Sequence, residues 1–476
     1  YSALLVGAVR RASCQPKCCS MKQKTIEWGT EKISVLFGQV FFPTLLGMLG
    51  VSAVTTIDGI FIGHGVGSDG IAAVNICVPL LMVLTGFGLM VGMGSSITAS
   101  LCLSRGRARM ARVNVTQALL FVTAVALPLV GAVMLFPEGT AYWLGSSERL
   151  LPMVVDYLVW FAPSMLFTLW TAVAMFALRL DGAPKLAMWC SLLAAFVNVV
   201  LDWLFIFPFG WGVRGAAFAT SISCLTGTCI AAGYLTFRAR HLRLCRLRFG
   251  KKVFAFFGRN IGSQCRLGFS ALLGEATMAT LMFVGNHVFM QYLGDDGVGA
   301  FGVSCYYLPF VFMIGNAIAQ SAQPIISFNA GIGKTERVHA TLGASLAAAL
   351  MCGTVATAAF VLFPKQLVGL FLNPGDIAAR IAIEGFPYIG AGFIFFIANL
   401  AVVGYYQSIG KVLPATCFAM LRGFMFLIPS FILLPRALGA VGIWLALPLS
   451  EILTAVVIAA VFRIGRRHSM RHSAVS

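Results

Sequence analysis

About twelve apolar segments, each long enough to cross a membrane, follow one another along the chain. Only 11% of the 476 residues are charged, whereas a soluble protein carries roughly a quarter. Such segments predict transmembrane α-helices, because a helix satisfies its own backbone polar groups inside a bilayer. The sequence therefore predicts an all-α polytopic membrane protein with spans at 35–62, 71–101, 113–136, 152–178, 185–208, 213–237, 264–293, 300–328, 339–363, 381–404, 412–434 and 440–463.

Basic residues are concentrated in alternate loops, and the formal net charge is +18. Arginines follow the second span between residues 105 and 112, Arg179 and Lys185 follow the fourth, and the linker 238–263 is the most basic segment. Because cytoplasmic loops are rich in Lys and Arg, we expect both termini and this linker to be cytoplasmic in a multi-pass plasma (inner) membrane protein. Membrane topology accounts for the charge, so we expect contacts with membrane lipid and no nucleic-acid partner.

The two halves of the chain share a repeat. Gly67 in GVGSDGIAAVNI aligns with Gly294 in QYLGDDGVGAFGV, and Gly215 in GVRGAAFA aligns with Gly442 in GAVGIWLA. Both pairs have an offset of 227 residues (294 − 67 and 442 − 215). Six spans in each unit insert in the same direction, so the repeat predicts two six-helix bundles related by a pseudo-two-fold axis along the membrane normal. Two bundles facing a central cleft suit a transporter that works by alternating access.

This repeat also divides the chain into domains. We expect the first twenty residues of the N-terminal segment to be an upstream extension with no role in the fold. The predicted parts are a cytoplasmic lead-in at 1–34, an N-lobe at 35–237, a basic cytoplasmic linker at 238–263, a C-lobe at 264–463 and a cytoplasmic tail at 464–476.

Four polar residues in the N-lobe spans form a candidate cation site. Asn198 and Asp202 are four residues apart and share one helix face, while Thr220 lies on the returning helix and Asp58 near the end of the first span. A carboxylate in hydrocarbon costs about 2.5–3.5 kcal/mol on insertion scales, so it usually has a function. Oxygen ligands suit Na⁺, and two close carboxylates can instead share a proton. These residue types do not distinguish a Na⁺ site from an H⁺ site. The alternative to an ion site is a structural carboxylate that only joins two helices.

A second group of polar residues lies within the C-lobe spans. The candidates for a substrate or proton site are Glu275, Asn286, Gln320 and Gln323. For Glu275 the alternative is a structural partnership with Asn286 or a backbone group. Gln320 and Gln323 interrupt the eighth span and are candidates for lining the cleft. Arg422 and Glu451, in the last two spans, are predicted to pair with each other.

The order and spacing of several motifs resemble the multidrug and toxic compound extrusion (MATE) transporters over nearly all of residues 30–465. These motifs are TIDGIFIGHGVGSDGIAAVNI, LRLDGAPKLA, GVRGAAFATSIS, GEATMATLMFVGNHVF, QSAQPIISFNAGIGK, YYQSIGK and LGAVGIWLALPLSE.

The resemblance implies an antiporter that expels cationic, amphipathic small molecules as Na⁺ or H⁺ enters, with two six-helix lobes. It also implies an ion site in the N-terminal lobe, at Asp58, Asn198, Asp202 and Thr220. We expect no enzymatic activity, no cofactor beyond the coupling ion, and a monomer.

Two other functions compete with antiport. A lipid-linked saccharide flippase of the same broad superfamily would need cationic side chains in its cleft to hold a diphosphate. Such side chains are scarce in the predicted spans, and Arg422 is the exception. A membrane-embedded enzyme would need acid, base or metal-binding groups facing a substrate, whereas five of the six histidines lie in or beside loops and only His287 lies well inside a predicted span.

Overall fold

The computed structural model describes residues 27–247, 251–372 and 375–473, and all regular elements in these ranges are helices. Within these ranges, eleven helices are long and apolar enough to cross a membrane, and a helix pair bent by 46° between Gly390 and Phe393 brings the number of spans to twelve. The all-α, twelve-span prediction is confirmed. The predicted extension 1–20 lies outside the described residues.

The N-lobe contains the first seven α-helices. A tight turn at Gly182, where φ is 86°, joins two of them, and Pro184 occupies the first turn of the second. The helices are α1 (Ile33–Gly65), α2 (Ser68–Ser104), α3 (Ala108–Leu135), the short α4 (Pro137–Trp143), α5 (Leu151–Leu180), α6 (Pro184–Ile206) and α7 (Gly212–Gly233), which continues as a π-helical turn (Tyr234–Arg238).

The C-lobe begins with a helix that contains two spans. This helix, α8 (Lys251–Gly331), is broken at Gly294, so its first half (Phe257–Gly294) and second half (Asp296–Gly331) each form one span. It begins within the predicted linker. The remaining helices are α9 (Thr335–Leu362), α10 (Pro364–Gly369), α11 (Ile377–Gly390), α12 (Phe393–Ser408), α13 (Val412–Met420) with its π-helical turn (Leu421–Met425), α14 (Leu427–Leu438) and α15 (Ala440–Ser473).

The sequence repeat is visible in the backbone. The equivalent residues Gly67 and Gly294 both have positive φ, at 93° and 64°, a conformation that glycine adopts without strain. Ser96 and Gln323 are also equivalent, since they are 227 residues apart, and the Ser96 hydroxyl donates to Gln323 Oε1 at 2.9 Å. Equivalent residues touch each other only near a symmetry axis, so the pseudo-two-fold axis passes between α2 and the second half of α8.

The lobes exchange part of their first helices. The end of the bundle that bears the arginine-rich α2–α3 loop is called the inner end. Leu36, Phe37, Val40 and Phe41, in the inner half of α1, belong to the C-lobe core, whereas Ile62 at its outer end belongs to the N-lobe core. Reciprocally, the first half of α8 packs against the N-lobe core through two side chains in the inner half of its span, Cys265 and Leu272.

Candidate functional site

The carboxyl groups of Asp58 and Asp202 adjoin each other inside the N-lobe. Asp58 lies on α1 and Asp202 on α6, and their side chains are within hydrogen-bonding range. Asp202 is fully buried, and no donor among the described residues reaches either of its carboxylate oxygens or Asp58 Oδ1. Two facing carboxylates repel each other unless a proton or a cation neutralises one of them. The pair is therefore suited to hold a proton or a small cation.

Asn198 and Thr220 lie on the two helices that follow α5. Asn198 is one turn before Asp202 on α6, is buried, and its Nδ2 has no acceptor among the described residues. The Thr220 hydroxyl on α7 is half-buried and donates to the Ala216 carbonyl at 3.0 Å, which leaves its oxygen lone pairs available. The structure thus brings the two acids together and pairs Thr220 within its own helix.

Tyr157 is a further residue near the acids, and the sequence analysis missed it. This α5 side chain is only 5% exposed and is close to both Asp58 and Asp202, as well as to Cys77 of α2 and Cys224 of α7. Helix α5 therefore also borders the pair of acids that α1 and α6 hold. A count of depth gives the missing signal, because Tyr157 is six residues from the outer end of α5 (157 − 151) and Asp58 is seven from that of α1 (65 − 58).

The donor set around the acids favours a hard cation or a proton over a transition metal. Among the residues that the structure describes, no three His, Cys, Asp or Glu side chains converge on one point. Carboxylate, amide and hydroxyl oxygens are the ligands of hard cations, whereas zinc and similar metals prefer imidazole and thiolate.

Glu275 lies where the two lobes meet. It is on the first half of α8, is 8% exposed, and its Oε1 has no partner among the described residues. It faces Gly86 of α2, where an added Cβ would lie 3.2 Å from Glu275 Cβ. Asn286 is exposed and makes no hydrogen bond with Glu275 in the described part of the chain, so it is not the structural partner considered from the sequence.

Gln320 and Gln323 take part in contacts that close the inner half of the boundary between the lobes. Arg179 Nη1 donates to Gln320 Oε1 at 2.7 Å, and Gln323 accepts from Ser96 and donates to Ser327 at 3.1 Å. Beside them, the apolar side chains Met93, Ile97 and Phe176 form a small separate cluster.

The location of Arg179 corrects the sequence analysis, which assigned this residue to a loop. Arg179 is in the last turn of α5 and is 7% exposed, because α5 extends to Leu180 and carries it against the C-lobe. Its guanidinium lies 5.5 Å from the Phe176 ring centre, and its Nε has no acceptor among the described residues. A buried cation without a carboxylate partner is costly, and the hydrogen bond to Gln320 and the contact with the Phe176 ring offset part of that cost.

Arg422 and Glu451 form a buried ion pair inside the C-lobe, as predicted. Arg422 Nη2 and Nε donate to Glu451 Oε1 at 2.8 and 3.1 Å, and Asn399 Nδ2 donates to Glu451 Oε2 at 2.7 Å. The guanidinium also lies 4.4 Å from the centre of the Phe396 ring. The charges of Arg422 and Glu451 therefore neutralise each other within the C-lobe.

Comparisons with known proteins agree with this architecture. A family model described as MatE matches residues 43–204 and 271–431. A protein named FAD transporter from Shewanella oneidensis is 25% identical over 432 residues, which cover 87% of this chain and 91% of the relative. The multidrug export protein MepA of Staphylococcus saprophyticus is 25% identical over 440 residues, covering 90% and 93%.

Solved structures have the same fold. One described as the outward-facing conformation of a multidrug resistance MATE family transporter of the MOP superfamily superposes with a TM-score of 0.83 at 18% identity, covering 92% of this chain and 97% of the other. Another, described as a MOP superfamily transporter from Pyrococcus furiosus with a binding pocket of reverse polarity, gives a TM-score of 0.84 at 17% identity, covering 93% and 98%.

Proposed function

Since the chain belongs to the MatE family of membrane transporters, we propose that it is a secondary active multidrug efflux transporter driven by Na⁺ or H⁺ antiport. The observation that carries this proposal is the buried pair of acids, Asp58 and Asp202, held by two different helices without a described donor. Asn198 and Thr220 complete the proposed cation site. The family relative named as a multidrug export protein supports drugs as cargo, and we propose that these are cationic, amphipathic small molecules.

The coupling follows from the electrostatics of the pair of acids. A cation or proton between Asp58 and Asp202 removes their repulsion and lets α1 and α6 pack closely, whereas an empty pair pushes these helices apart. Cargo affinity changes with the same rearrangement, because a ligand shifts an equilibrium only when it binds the two states with different free energies. Entry of the ion from outside therefore drives release of the cargo to the outside.

Two features support an outward-facing orientation of this conformation, with both termini cytoplasmic in the plasma membrane. The lobes touch along their inner half, through Arg179 and Gln320 among others. At the same end, Arg105, Arg107 and Arg109 are exposed to solvent. Arginine-rich loops favour the cytoplasmic side.

The test measures cargo movement by purified protein in liposomes. Gradients of Na⁺ and of pH are imposed separately while a cationic dye is followed by fluorescence, which identifies the driving ion. Asp202→Asn should abolish gradient-driven dye transport, because a neutral side chain cannot attract the cation or exchange the proton. Asp69→Asn is the matched control, since Asp69 is at the outer surface and pairs with Arg149. Transport by Asp202→Asn at the wild-type rate would refute the proposal.

A second candidate cargo is an anionic compound such as FAD. The observations that favour it are the relative named FAD transporter and the buried Arg179, whose guanidinium lies between the lobes without a described carboxylate partner. The same liposomes loaded with FAD decide between the cargoes: movement of FAD but not of dye would replace multidrug efflux with this second candidate. For the flippase alternative, Arg422 is already paired with Glu451, so a lipid-linked diphosphate would depend on Arg179 instead.

A further inference from the structure

The segment that leads into α1 is held by the C-lobe, although α1 is the first helix of the N-lobe. Three C-lobe side chains at the α8–α9 turn donate to its backbone. Asn329 Nδ2 donates to the Trp28 carbonyl at 2.9 Å, and Lys334 Nζ donates to the Gly29 carbonyl at 3.0 Å. Arg337 Nη2 donates to the carbonyls of Glu31 at 2.7 Å and Trp28 at 3.3 Å. We call Asn329, Lys334 and Arg337 the clamp.

Packing and cross-bracing make the clamp rigid. Arg337 Nε donates to Asn329 Oδ1 at 3.0 Å, so the two side chains fix each other. The Trp28 side chain is 8% exposed and belongs to the C-lobe core, and Gly29 packs against Phe328. Hydrogen bonds from charged donors are stronger than neutral ones. The segment is therefore attached to the C-lobe by both polar and apolar contacts.

The attachment continues along the inner half of α1 as far as Met48, which still packs against the C-lobe core, while Gly47 beside it already meets α6. Up to Phe41 the helix packs in the C-lobe core, whereas a Cβ on Gly47 would lie 3.4 Å from the Met188 backbone of α6. Asp58 lies beyond this change, against Asp202. One helix thus joins the C-lobe at its inner end to the proposed cation site of the N-lobe at its outer end.

The other lobe has a reciprocal attachment. Asn260 Nδ2, on the first half of α8, donates to Asn114 Oδ1 at 2.7 Å and to Gln117 Oε1, both on α3 of the N-lobe. Gln264 Nε2 donates to the Asn114 carbonyl at 3.3 Å. Each lobe therefore holds the inner end of the first helix of the other lobe. This exchange of first helices occurs in both halves of the repeat.

We propose that Asn329, Lys334 and Arg337 are positioning residues that keep the inner end of α1 on the C-lobe throughout the transport cycle. When the lobes move, α1 then shifts Asp58 relative to Asp202, so the arrangement of the lobes sets the geometry of the cation site. By the reciprocity of coupled equilibria, ion occupancy sets the arrangement of the lobes. The inference rests on the proposed function for the role of the two acids.

The first test makes the attachment covalent. In a chain whose thirteen native cysteines are replaced, Gly29→Cys and Ile332→Cys are joined by a short bifunctional thiol reagent with a cleavable disulfide. A Cβ on Gly29 would lie 3.6 Å from Ile332 Cδ1, so the reagent can reach. The cross-linked protein should retain most of its dye transport, because the proposal requires no separation at this point. Loss of transport on cross-linking, restored by cleavage, would overturn the proposal.

The second test removes the clamp and then replaces it. Arg337→Met with Asn329→Leu removes two charge-assisted hydrogen bonds and one neutral hydrogen bond to the segment. Transport driven by the gradient should fall by about tenfold or more, since one charge-assisted bond alone is equivalent to about tenfold in the coupling equilibrium. In the same variant, cross-linking Cys substitutions at Gly29 and Ile332 should restore transport, which it would not do if the variant were merely misfolded. Arg463→Met, which removes an exposed C-lobe arginine, should leave transport unchanged.

The results separate this inference from the proposed function. Wild-type rates in the clamp variant, or a reduced rate that cross-linking does not restore, would overturn the role of the clamp. The ratio of cross-linked to uncross-linked transport does not depend on which ion drives the cycle. A wild-type protein that moves dye without any ion gradient dependence would overturn the proposed antiport and leave this ratio measurable.

Discussion

Breaking the Arg422–Glu451 pair should destabilise the C-lobe far more than removing it entirely. Both side chains are at least 98% buried, with 2% and 0% exposure. Glu451→Gln leaves the Arg422 guanidinium buried without a negative partner. Arg422→Met leaves the Glu451 carboxylate buried without a positive partner. The double variant Arg422→Met with Glu451→Leu leaves neither charge, and Asn399 keeps its hydrogen bond to the Glu451 backbone carbonyl at 2.8 Å.

The magnitudes follow from what each variant leaves behind. Removing one partner of a buried pair costs about 3–5 kcal/mol, because the remaining charge has no compensation. A lone charge at the centre of a membrane costs a similar amount, about 2.5–3.5 kcal/mol on insertion scales. Replacing both partners with apolar groups is often neutral or stabilising. The singles should therefore lose roughly 6–20 °C of Tm, at about 2–4 °C per kcal/mol for large domains, and the double far less.

Thermal unfolding of detergent-solubilised protein, followed with a thiol-reactive dye, measures these differences as a double-mutant cycle. Transport by the double variant should stay near the wild-type rate, since the pair is in the C-lobe and the proposed cation site is in the N-lobe. The reasoning would be refuted if the double variant were as unstable as the sum of the two singles, because the two charges would then be energetically independent.

Two other substitutions test close contacts at the inner end. Gly268→Leu should abolish transport or lower Tm, because an added Cβ overlaps a backbone carbonyl of α2. The control is Gly262→Leu on the same helix, which has open space around it and should be tolerated. Thermal unfolding and dye transport compare the two variants, and equal effects would contradict the close approach of α8 to α2. Asp181→Ala should make residues 239–247 more sensitive to trypsin, because the Asp181 carboxylate accepts hydrogen bonds from three backbone N–H groups and from the Tyr234 hydroxyl. The control is Asp376→Ala, which removes an exposed acid. Identical cleavage of the two variants would show that the Asp181 carboxylate does not hold the segment.

Local sequence was sufficient for the spans, the repeat and the polar residues within spans. Apolar length encodes a membrane helix directly, and a charge inside such a segment stands out whatever the fold. This is why Arg422 and Glu451 could be paired in advance, and why Asp58 and Asp202 could be selected as candidates. Tyr157 could not be found in this way, because a tyrosine among apolar residues has no distinctive local pattern and only its depth relates it to the acids.

Arg179 shows a different limit. Its helix extends two residues past the predicted end of the span at 178, and this extension is enough to turn a loop cation into a buried contact. Its partner Gln320 is 141 residues away in the chain. Nothing in the local pattern of either residue specifies the other, so the contact depends on how the two lobes are arranged.

The exchange of the first helices was hidden for a related reason. An apolar helix face packs equally well against either lobe, so hydrophobic pattern assigns α1 to a lobe only by its order in the chain. The polar contacts at its inner end break this ambiguity. The two exchanged helices also carry two of the buried acids: Asp58 of the proposed cation site is on α1, and Glu275, which faces the other lobe, is on the first half of α8. Each of these acids is therefore on a helix that contacts both lobes, so any movement of one lobe against the other changes its surroundings.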